Sequence, residues 1–262
     1  MKSPSESVVL LTGAAGGIGA ATAAALAAKG YRVGLVDRAP GALGEVQERL
    51  RSSGAQVAAE PADVCDRGQM RAAFEHIEAA LGPTDIVVAC AGVGTISTVN
   101  NLDLDGFRAM LEVNVLGVAH TIEAALPGMI ARGQGHIVGI SSVAGFRGLP
   151  WMPGYSASKA ALTAYLEGLR PALKRRGITI TTVFPGFVRT AMTANTPFRR
   201  PVPMLEPDQA AKHLVRAIER RPRDYVFPFS TSVGMNILRY MPSRFFDRMM
   251  DRSGPKALKI DF

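Results

Sequence analysis

The feature that most constrains the fold is a series of short, continuous apolar runs separated by helical segments. The runs read VVLL, VGLV, IVVAC, HIVGI and ITITTVF. Strands buried on both faces give continuous runs of this kind, whereas half-exposed strands alternate apolar and polar residues. Parallel neighbours need long crossover connections, which are usually helices. The pattern therefore predicts an α/β fold with a single doubly wound parallel sheet and helices on both faces.

This alternation runs through residues 1–230, so we expect a single domain there, followed by an extension at residues 231–262. The composition, 47% hydrophobic and 20% charged, is ordinary for a globular chain and allows a sizeable core. In the extension, Ile237, Met241 and Phe245 recur every four residues with arginines between them. This spacing predicts an amphipathic segment packed on the domain or on a partner subunit. Its basic, methionine-rich face leaves two further interpretations: membrane contact, which is less favoured, and closure of a pocket.

Charge and cysteine content exclude several classes of protein. The net charge is 30 − 22 = +8, but no aromatic residues alternate with the scattered basic residues, so we expect no nucleic-acid partner. Two cysteines rule out a disulfide scaffold, and four scattered histidines predict no metal site. Residues 7–28 carry no charge, but their glycines and threonines argue against a signal peptide or membrane span. We therefore expect a cytoplasmic protein.

A glycine-rich turn lies between the first predicted strand and the first predicted helix, where Thr12 to Gly19 reads T-G-A-A-G-G-I-G. A dinucleotide pyrophosphate needs close backbone approach, which a Cβ would block, and a helix N-terminus supplies N–H donors. Gly13 fits the tight turn, Gly17 the approach to the pyrophosphate, and Gly19 the packing of helix on strand. Because the turn follows a strand and opens a helix, it predicts a Rossmann-type dinucleotide-binding domain.

The end of the second strand bears on the choice of cofactor. Asp37 lies 37 − 19 = 18 residues after Gly19, where a carboxylate accepts hydrogen bonds from the adenosine ribose and repels a 2′-phosphate. Arg38 follows directly and is suited to receive that phosphate instead. NAD is therefore the favoured cofactor, and NADP is the alternative.

Four polar residues form a candidate catalytic set. Tyr155 and Lys159 are at i and i+4, so both project from one helix face, and a nearby ammonium would lower the pKa of the tyrosine. Such a pair is suited to move a proton to or from a substrate oxygen. Ser142 ends the preceding strand, where ligands of doubly wound folds bind. Asn114 lies in an apolar helical stretch, where its amide needs partners, either within the helix or at a functional site.

Together these residues resemble the short-chain dehydrogenase/reductase family in its roughly 250-residue form. The resemblance covers about residues 7–230. It comprises, in chain order, T-G-x-x-x-G-x-G at 12–19, Asp63-Val64, Ala91-Gly92, Asn114, Ser142, Tyr155, Lys159 and Pro185-Gly186. One departure stands out, because the family's usual Asn-Asn-Ala-Gly is here Ala89-Cys90-Ala91-Gly92. The two missing amides would tie neighbouring strands, so their loss puts local rigidity in doubt.

The resemblance implies a role for each catalytic candidate. Tyr155 would be the acid/base, and Ser142 would hold and polarise the substrate oxygen. Lys159 would lower the Tyr155 pKa and bind the nicotinamide ribose, while Asn114 would hold a water in the proton relay. The cofactor-binding residues would be Gly13, Ala15, Gly17, Ile18, Gly19, Asp37, Arg38, Asp63, Val64, Ala91, Gly92, Tyr155, Lys159, Pro185, Gly186, Val188 and Thr190. Of these, Asp63 would contact the adenine amine, and Val188 and Thr190 would receive the carboxamide.

The implied activity is an NAD(P)-dependent interconversion of a secondary alcohol and a ketone. Candidate substrate residues are Val143, Trp151, Phe187 and Met192, together with a predicted mobile lid at residues 191–205. Because they are mostly apolar, we expect a lipophilic small-molecule substrate such as a steroid, a terpenoid or a long-chain alcohol.

Other interpretations stay open beside this one. The same fold could serve as a nucleotide-sensing regulator without turnover, as an NADPH-preferring ketone reductase, or as an epimerase or dehalogenase. The resemblance also implies a homodimer or homotetramer formed through the helices predicted at about 106–131 and 156–176.

Overall fold

The computed structural model describes residues 3–97, 100, 102–194, 203–228, 234 and 237–257, with side chains as far as residue 251. Seven parallel strands form one sheet in the order β3-β2-β1-β4-β5-β6-β7. The strands are β1 (Val8–Thr12), β2 (Arg32–Asp37), β3 (Val57–Pro61), β4 (Ile86–Ala89), β5 (Gly135–Ile140), β6 (Ile178–Pro185) and β7 (Asp224–Phe227). The predicted doubly wound parallel sheet is confirmed.

Helices connect the strands and cover both faces of the sheet. They are α1 (Gly17–Ala28), α2 (Pro40–Ser52), α3 (Arg67–Leu81), α4 (Leu104–Leu111), α5 (Val118–Arg132), α6 (Pro153–Lys174), α7 (Ala191–Ala194), α8 (Pro207–Arg220) and α9 (Ser243–Ala257). Short 3-10 turns occur at Pro4–Glu6 and Val143–Gly145.

Three helical regions differ from the sequence-based expectation. The helix expected at about 106–131 spans 104–132, and a π-helical segment, Glu112–Gly117, joins α4 to α5. Helix α6 begins at Pro153 instead of residue 156, because proline suits the first helical position, where its missing N–H costs nothing. The expected loop at 191–205 begins with the four helical residues of α7, and its residues 195–202 lie outside the described part of the chain.

The core lies in two layers, one on each face of the sheet. Val9 and Leu11 of β1 belong to the layer covered by α1 and α8, whereas Val8 and Leu10 belong to the layer covered by α3, α5 and α6. Successive strand residues point to opposite faces, so a strand between two covered faces is apolar at every position. This burial explains the unbroken apolar runs.

The connections place a crevice at the carboxyl edge of the sheet. From β1 the chain crosses to β2 on one side, whereas β4 pairs with the other side of β1. The direction of winding therefore reverses between β1 and β4. The loops that follow these two strands diverge and leave room for a ligand.

The helix of residues 104–132 is, by length and composition alone, long and apolar enough to cross a membrane. Its Val118, Ile122 and Met129 are buried against α3 and the sheet. Buried core helices often have this composition, so the helix is weak evidence for a membrane span. The extension beyond β7 contacts its own domain, where Phe246 of α9 is buried.

Candidate active site

The glycine turn between β1 and α1 is held by close backbone contacts. A Cβ on Gly19 would overlap the carbonyl oxygen of Gly13, so helix α1 approaches the turn more closely than any larger residue allows. Gly13 has φ +69°, and its added Cβ would lie 2.8 Å from Ala91 Cα at the end of β4. Gly17 packs toward Thr190, and Gly16 faces open space beside the helix N-terminus.

This N-terminus fits a dinucleotide. Its N-cap residue, Gly16, has no side chain that could satisfy the first N–H groups of α1. Those groups are left to bind an anion, which the positive end of the helix dipole also favours. Gly13, Gly16, Gly17, Ile18 and Gly19 all line one cavity of about 610 Å³. The shape and the donors of this end suit a pyrophosphate.

Asp37 is fixed at the edge of that cavity by backbone donors. Its Oδ2 accepts a hydrogen bond from Ala15 N at 3.0 Å, and its Oδ1 accepts one from Ala39 N at 3.1 Å. Each oxygen keeps a lone pair for a ribose hydroxyl. Arg38 is exposed and lines the same cavity. The structure thus brings together the residue that favours NAD and the residue that favours NADP.

The loop after β3 is ordered by local hydrogen bonds. Asp63 Oδ1 accepts from Cys65 N at 2.9 Å, and the carbonyl oxygen of Val64 lies 2.9 Å from Nδ1 of His120, which must therefore be the donor. The Val64 side chain fills the space beside Gly117, where a Cβ would lie only 2.6 Å from it. Both Asp63 and Val64 line the cavity.

Thr12 ties the loop after β4 to strand β1. Its Oγ1 accepts from Cys90 N at 3.2 Å and from Ala91 N at 3.3 Å, which joins the carboxyl ends of β1 and β4. A side chain on β1 therefore holds this loop where the sequence left its rigidity in doubt. Burial raises the pKa of the Cys90 thiol to about 11, so the thiol is neutral at physiological pH.

Asn114 lies in the π-helical segment and is fully buried. Its Oδ1 accepts from Val93 N at 2.9 Å, while Nδ2 donates to Val93 O at 2.9 Å and to Ser158 Oγ at 3.0 Å. Both amide hydrogens are therefore used, and the side chain clamps the loop after β4 to helix α6. The alternative of a hydrogen bond within its own helix is wrong, because these partners lie outside that helix.

Ser142, Tyr155 and Lys159 converge at the end of β5. The Ser142 hydroxyl accepts from Ala144 N at 3.1 Å and also hydrogen-bonds the Tyr155 side chain. Lys159 Nζ donates to Ile140 O at 2.9 Å and lies 5.8 Å from the centre of the Tyr155 ring. Helix α6 presents Tyr155 and Lys159 on one face, one turn apart, as their spacing predicts.

The loop after β6 closes the far side of the cavity. Gly186 N donates to Phe227 O at 2.7 Å, and Val188 is buried and bridged to Leu205. The predicted Pro185, Gly186, Val188 and Thr190 all line the cavity.

A model of the short chain dehydrogenase family matches residues 7–200, a span that includes the glycine turn and the Ser142, Tyr155 and Lys159 cluster. This chain is an oxidoreductase of the short-chain dehydrogenase family.

Similar proteins include an uncharacterized oxidoreductase of Myxococcus xanthus, 34% identical over 247 residues that cover 94% of this chain and 97% of that protein. The ketoacyl reductase HetN of a Nostoc species is 32% identical over 83% of this chain and 77% of its own length. A solved short-chain dehydrogenase/reductase from Burkholderia phymatum in complex with NAD covers 100% of this chain and 99% of its own, with a TM-score of 0.82 and 24% identity. At 24% identity, the similarity to the Burkholderia phymatum structure shows a shared fold and nothing more.

Burial sets the protonation of the central pair in this dehydrogenase. It raises the pKa of Tyr155 above its usual value, and the hydrogen bond with Ser142 acts in the opposite direction. It lowers the pKa of the Lys159 ammonium to about 8. The lowering of the Tyr155 pKa by Lys159 stays a prediction, and two features of this arrangement oppose it. The ammonium donates to Ile140 O instead of to the phenol oxygen, and burial outweighs the other effects on Tyr155.

Almost every candidate residue lines the cavity of this dehydrogenase. The exceptions are Ala15 and Asn114. The backbone N–H of Ala15 holds Asp37, and the side chain of Asn114 holds the loop after β4. The substrate candidates Val143, Trp151, Phe187 and Met192 line it as well. Sequence reasoning missed several further lining residues, among them Gly16, Val93, Leu149, Met152, Leu238 and Met250. For Met250 the periodic apolar residues of the extension gave a signal, and closure of a pocket was one of the interpretations left open, but no single residue was assigned to the cavity.

Proposed function

We propose that this dehydrogenase interconverts a secondary alcohol and a ketone with a nicotinamide cofactor. The observation that supports this most is that Ser142, Tyr155 and Lys159 share one cavity with the glycine turn. When bound, the cofactor would supply or accept the hydride. The glycine turn would hold its pyrophosphate, and Asp37 its adenosine ribose. HetN, a relative named as a ketoacyl reductase, is consistent with chemistry at a carbonyl carbon.

The proton would move through Tyr155. With its pKa raised by burial, the phenol keeps its proton at neutral pH and can donate it to a carbonyl oxygen during reduction. Ser142 Oγ accepts from Ala144 N and donates its own hydrogen to Tyr155, and that hydrogen would turn to the same carbonyl oxygen when a substrate binds. Lys159 would hold positive charge close to the reacting atoms.

A lipophilic substrate fits the other end of the cavity. Val143, Trp151, Phe187 and Met192 present mostly apolar surface, which favours a steroid, a terpenoid or a long-chain alcohol. A panel of secondary alcohols and ketones tests this, with reduced-cofactor absorbance as the readout. Turnover confined to sugars or short hydroxy acids would contradict the lipophilic substrate, and no net redox change with any substrate would favour a sensor or an epimerase.

Binding of NADH and NADPH to the purified protein tests the cofactor. Because a ligand of the native state alone raises stability, thermal shift at equal concentrations ranks the two. We expect NADH to give the larger shift, Asp37→Ser to narrow the difference, and Arg38→Ala to leave the NADH shift in place. A larger shift with NADPH that Arg38→Ala abolishes would instead favour an NADPH-dependent ketone reductase.

We also propose a homodimer or homotetramer that forms through the long helices. Leu116 is 52% exposed on the segment between α4 and α5, and Tyr165 is 37% exposed on α6, so both helices carry apolar surface outward. Light scattering of the wild type and of Leu116→Arg tests this. A wild-type monomer, or an unchanged oligomer in the variant, would contradict the proposed contact.

A further inference from the structure

The described part of the C-terminal extension reaches the substrate end of the cavity. Leu238 and Met250 both line the cavity. Met250 packs against a small apolar cluster formed by Ala144, Leu149 and Trp151. The partly buried Tyr155 packs against the same cluster, so the catalytic candidate shares its apolar surroundings with a residue 95 positions further along the chain.

Arg147 anchors this segment. Its guanidinium donates to Met241 O at 3.1 Å and to Ser243 Oγ at 3.2 Å, next to the first turn of α9. The same guanidinium lies 4.5 Å from the centre of the Phe246 ring, which is buried. Cation–π contact and hydrogen bonds thus fix the start of the helix.

This anchoring determines where Met250 points. Phe246 and Met250 are four residues apart on α9, so they lie on one helix face. Because Phe246 is held against Arg147, Met250 is directed at the Trp151 cluster. Met249, one residue earlier, lies on a different face and is not among the lining residues.

We propose that Met250 of α9 forms an end wall of the substrate pocket and limits the length of the apolar substrate. This inference rests on the proposed function. The match to the family model ends at residue 200, so this wall lies outside the matched region. A methionine side chain is unbranched and flexible, so it fills an irregular gap yet leaves a boundary that a smaller residue would move outward.

A series of 2-alkanones of increasing chain length, with the preferred cofactor, tests the proposal on the full-length protein. For Met250→Ala we expect the optimum chain length to increase, with kcat/KM for the longer ketones rising on the order of tenfold, mostly through KM. For Met250→Phe we expect the opposite shift. The matched control Met249→Ala should keep the wild-type profile. Identical profiles for Met250→Ala, Met250→Phe and the wild type would overturn the proposal.

Trp151 is the only tryptophan of the chain, so its fluorescence reports on this contact without turnover. We expect Met250→Ala, but not Met249→Ala, to shift the Trp151 emission and to change its response to a long 2-alkanone. If no alcohol or ketone is turned over but this binding response depends on Met250, the wall stands and the proposed function fails. If turnover occurs but neither the optimum chain length of the ketone nor the Trp151 emission depends on Met250, the proposed wall is wrong and the proposed function stands. Should Met250→Ala melt far below the wild type, Met250→Leu and Met250→Phe give the same comparison with the volume largely kept.

Discussion

The two ends of the cavity are built from different material. The nucleotide end is mostly backbone: glycines in van der Waals contact, a helix N-terminus, and a carboxylate held by the N–H groups of Ala15 and Ala39. The substrate end consists of apolar side chains from segments far apart in the chain, such as Trp151, Met192 and Met250. A site made of backbone tolerates few residue types at fixed spacings, whereas a site made of apolar side chains tolerates many. The first end is therefore fixed by packing, and the second is free to vary with the substrate.

Tyr155 lies where the two ends meet, and its substitution should have the largest effect. Tyr155→Phe removes the proton donor but keeps the ring, so we expect turnover to fall by roughly 10²–10⁴-fold. Nucleotide binding should weaken far less than turnover, because the pyrophosphate and the adenosine ribose would be held by the glycine turn and Asp37. Steady-state kinetics and thermal shift measure the two effects separately.

Tyr165→Phe is the matched control, because Tyr165 is on the same helix and is partly exposed away from the cavity. It should leave turnover unchanged. Equal activity of Tyr155→Phe and the wild type would remove the proposed proton transfer through the phenol.

One added methyl group should weaken binding at the nucleotide end. Gly19→Ala places a Cβ on the carbonyl oxygen of Gly13, so we expect at least tenfold weaker nucleotide binding and a loss of about 1–3 kcal/mol of stability. Isothermal titration and denaturant unfolding measure both. Gly44→Ala, in the open on α2, should instead stabilise the protein by about 0.5–1 kcal/mol. If Gly19→Ala bound nucleotide as tightly as Gly44→Ala, the nucleotide end would not depend on backbone packing.

The burial of the Lys159 charge between the two ends should make the stability of the protein depend on pH. Its pKa is about 8 in the folded protein and 10.5 in the unfolded chain. The unfolded state therefore holds more protons between these two pH values, and stability rises with pH across that window. The rise should be about 3 kcal/mol, with the penalty complete below pH 8 and absent above pH 10.5.

Denaturant unfolding across this pH window measures the effect. Lys159→Met should lose the rise, whereas Lys174→Met, at the exposed end of α6, should keep it. An equal slope in both variants would show that the burial of Lys159 does not perturb its titration.

The sequence was sufficient for the sheet and for the geometry of the glycine turn, because the causes of both are local. Every residue of β1 is buried on one face or the other, which makes the strand an unbroken apolar run. Gly19 is required by contact with Gly13, six residues away, so the spacing itself carries the information.

Other features of the site depend on contacts that no local pattern encodes. Asn114 hydrogen-bonds Val93 and Ser158, which are 21 and 44 residues away, so no local pattern could predict its partners. The spacing of Tyr155 and Lys159 placed them on one helix face but could not predict the burial that raises the tyrosine pKa. The wall formed by Met250 depends on how Arg147 orients a distant helix.

The smallest expected effect concerns Thr12, whose hydroxyl ties the two strands that border the crevice. Thr12→Val keeps the shape of the side chain but leaves the N–H groups of Cys90 and Ala91 without their acceptor. A buried, unpaired donor costs about 1–3 kcal/mol, so we expect a loss of that size in denaturant unfolding. Amide hydrogen exchange should also become faster at these two residues.

Thr22→Val tests whether this effect is specific. Thr22 is fully buried too, but its hydroxyl only donates to Ile18 O, within its own helix. Its loss should destabilise the protein less, and exchange at residues 90 and 91 should not change. Because Thr12 accepts from both N–H groups of this loop, faster exchange in Thr12→Val alone would locate the rigidity of the nucleotide end in β1. Unchanged exchange would instead mean that the close contact between Gly13 and Ala91 holds this loop by packing alone.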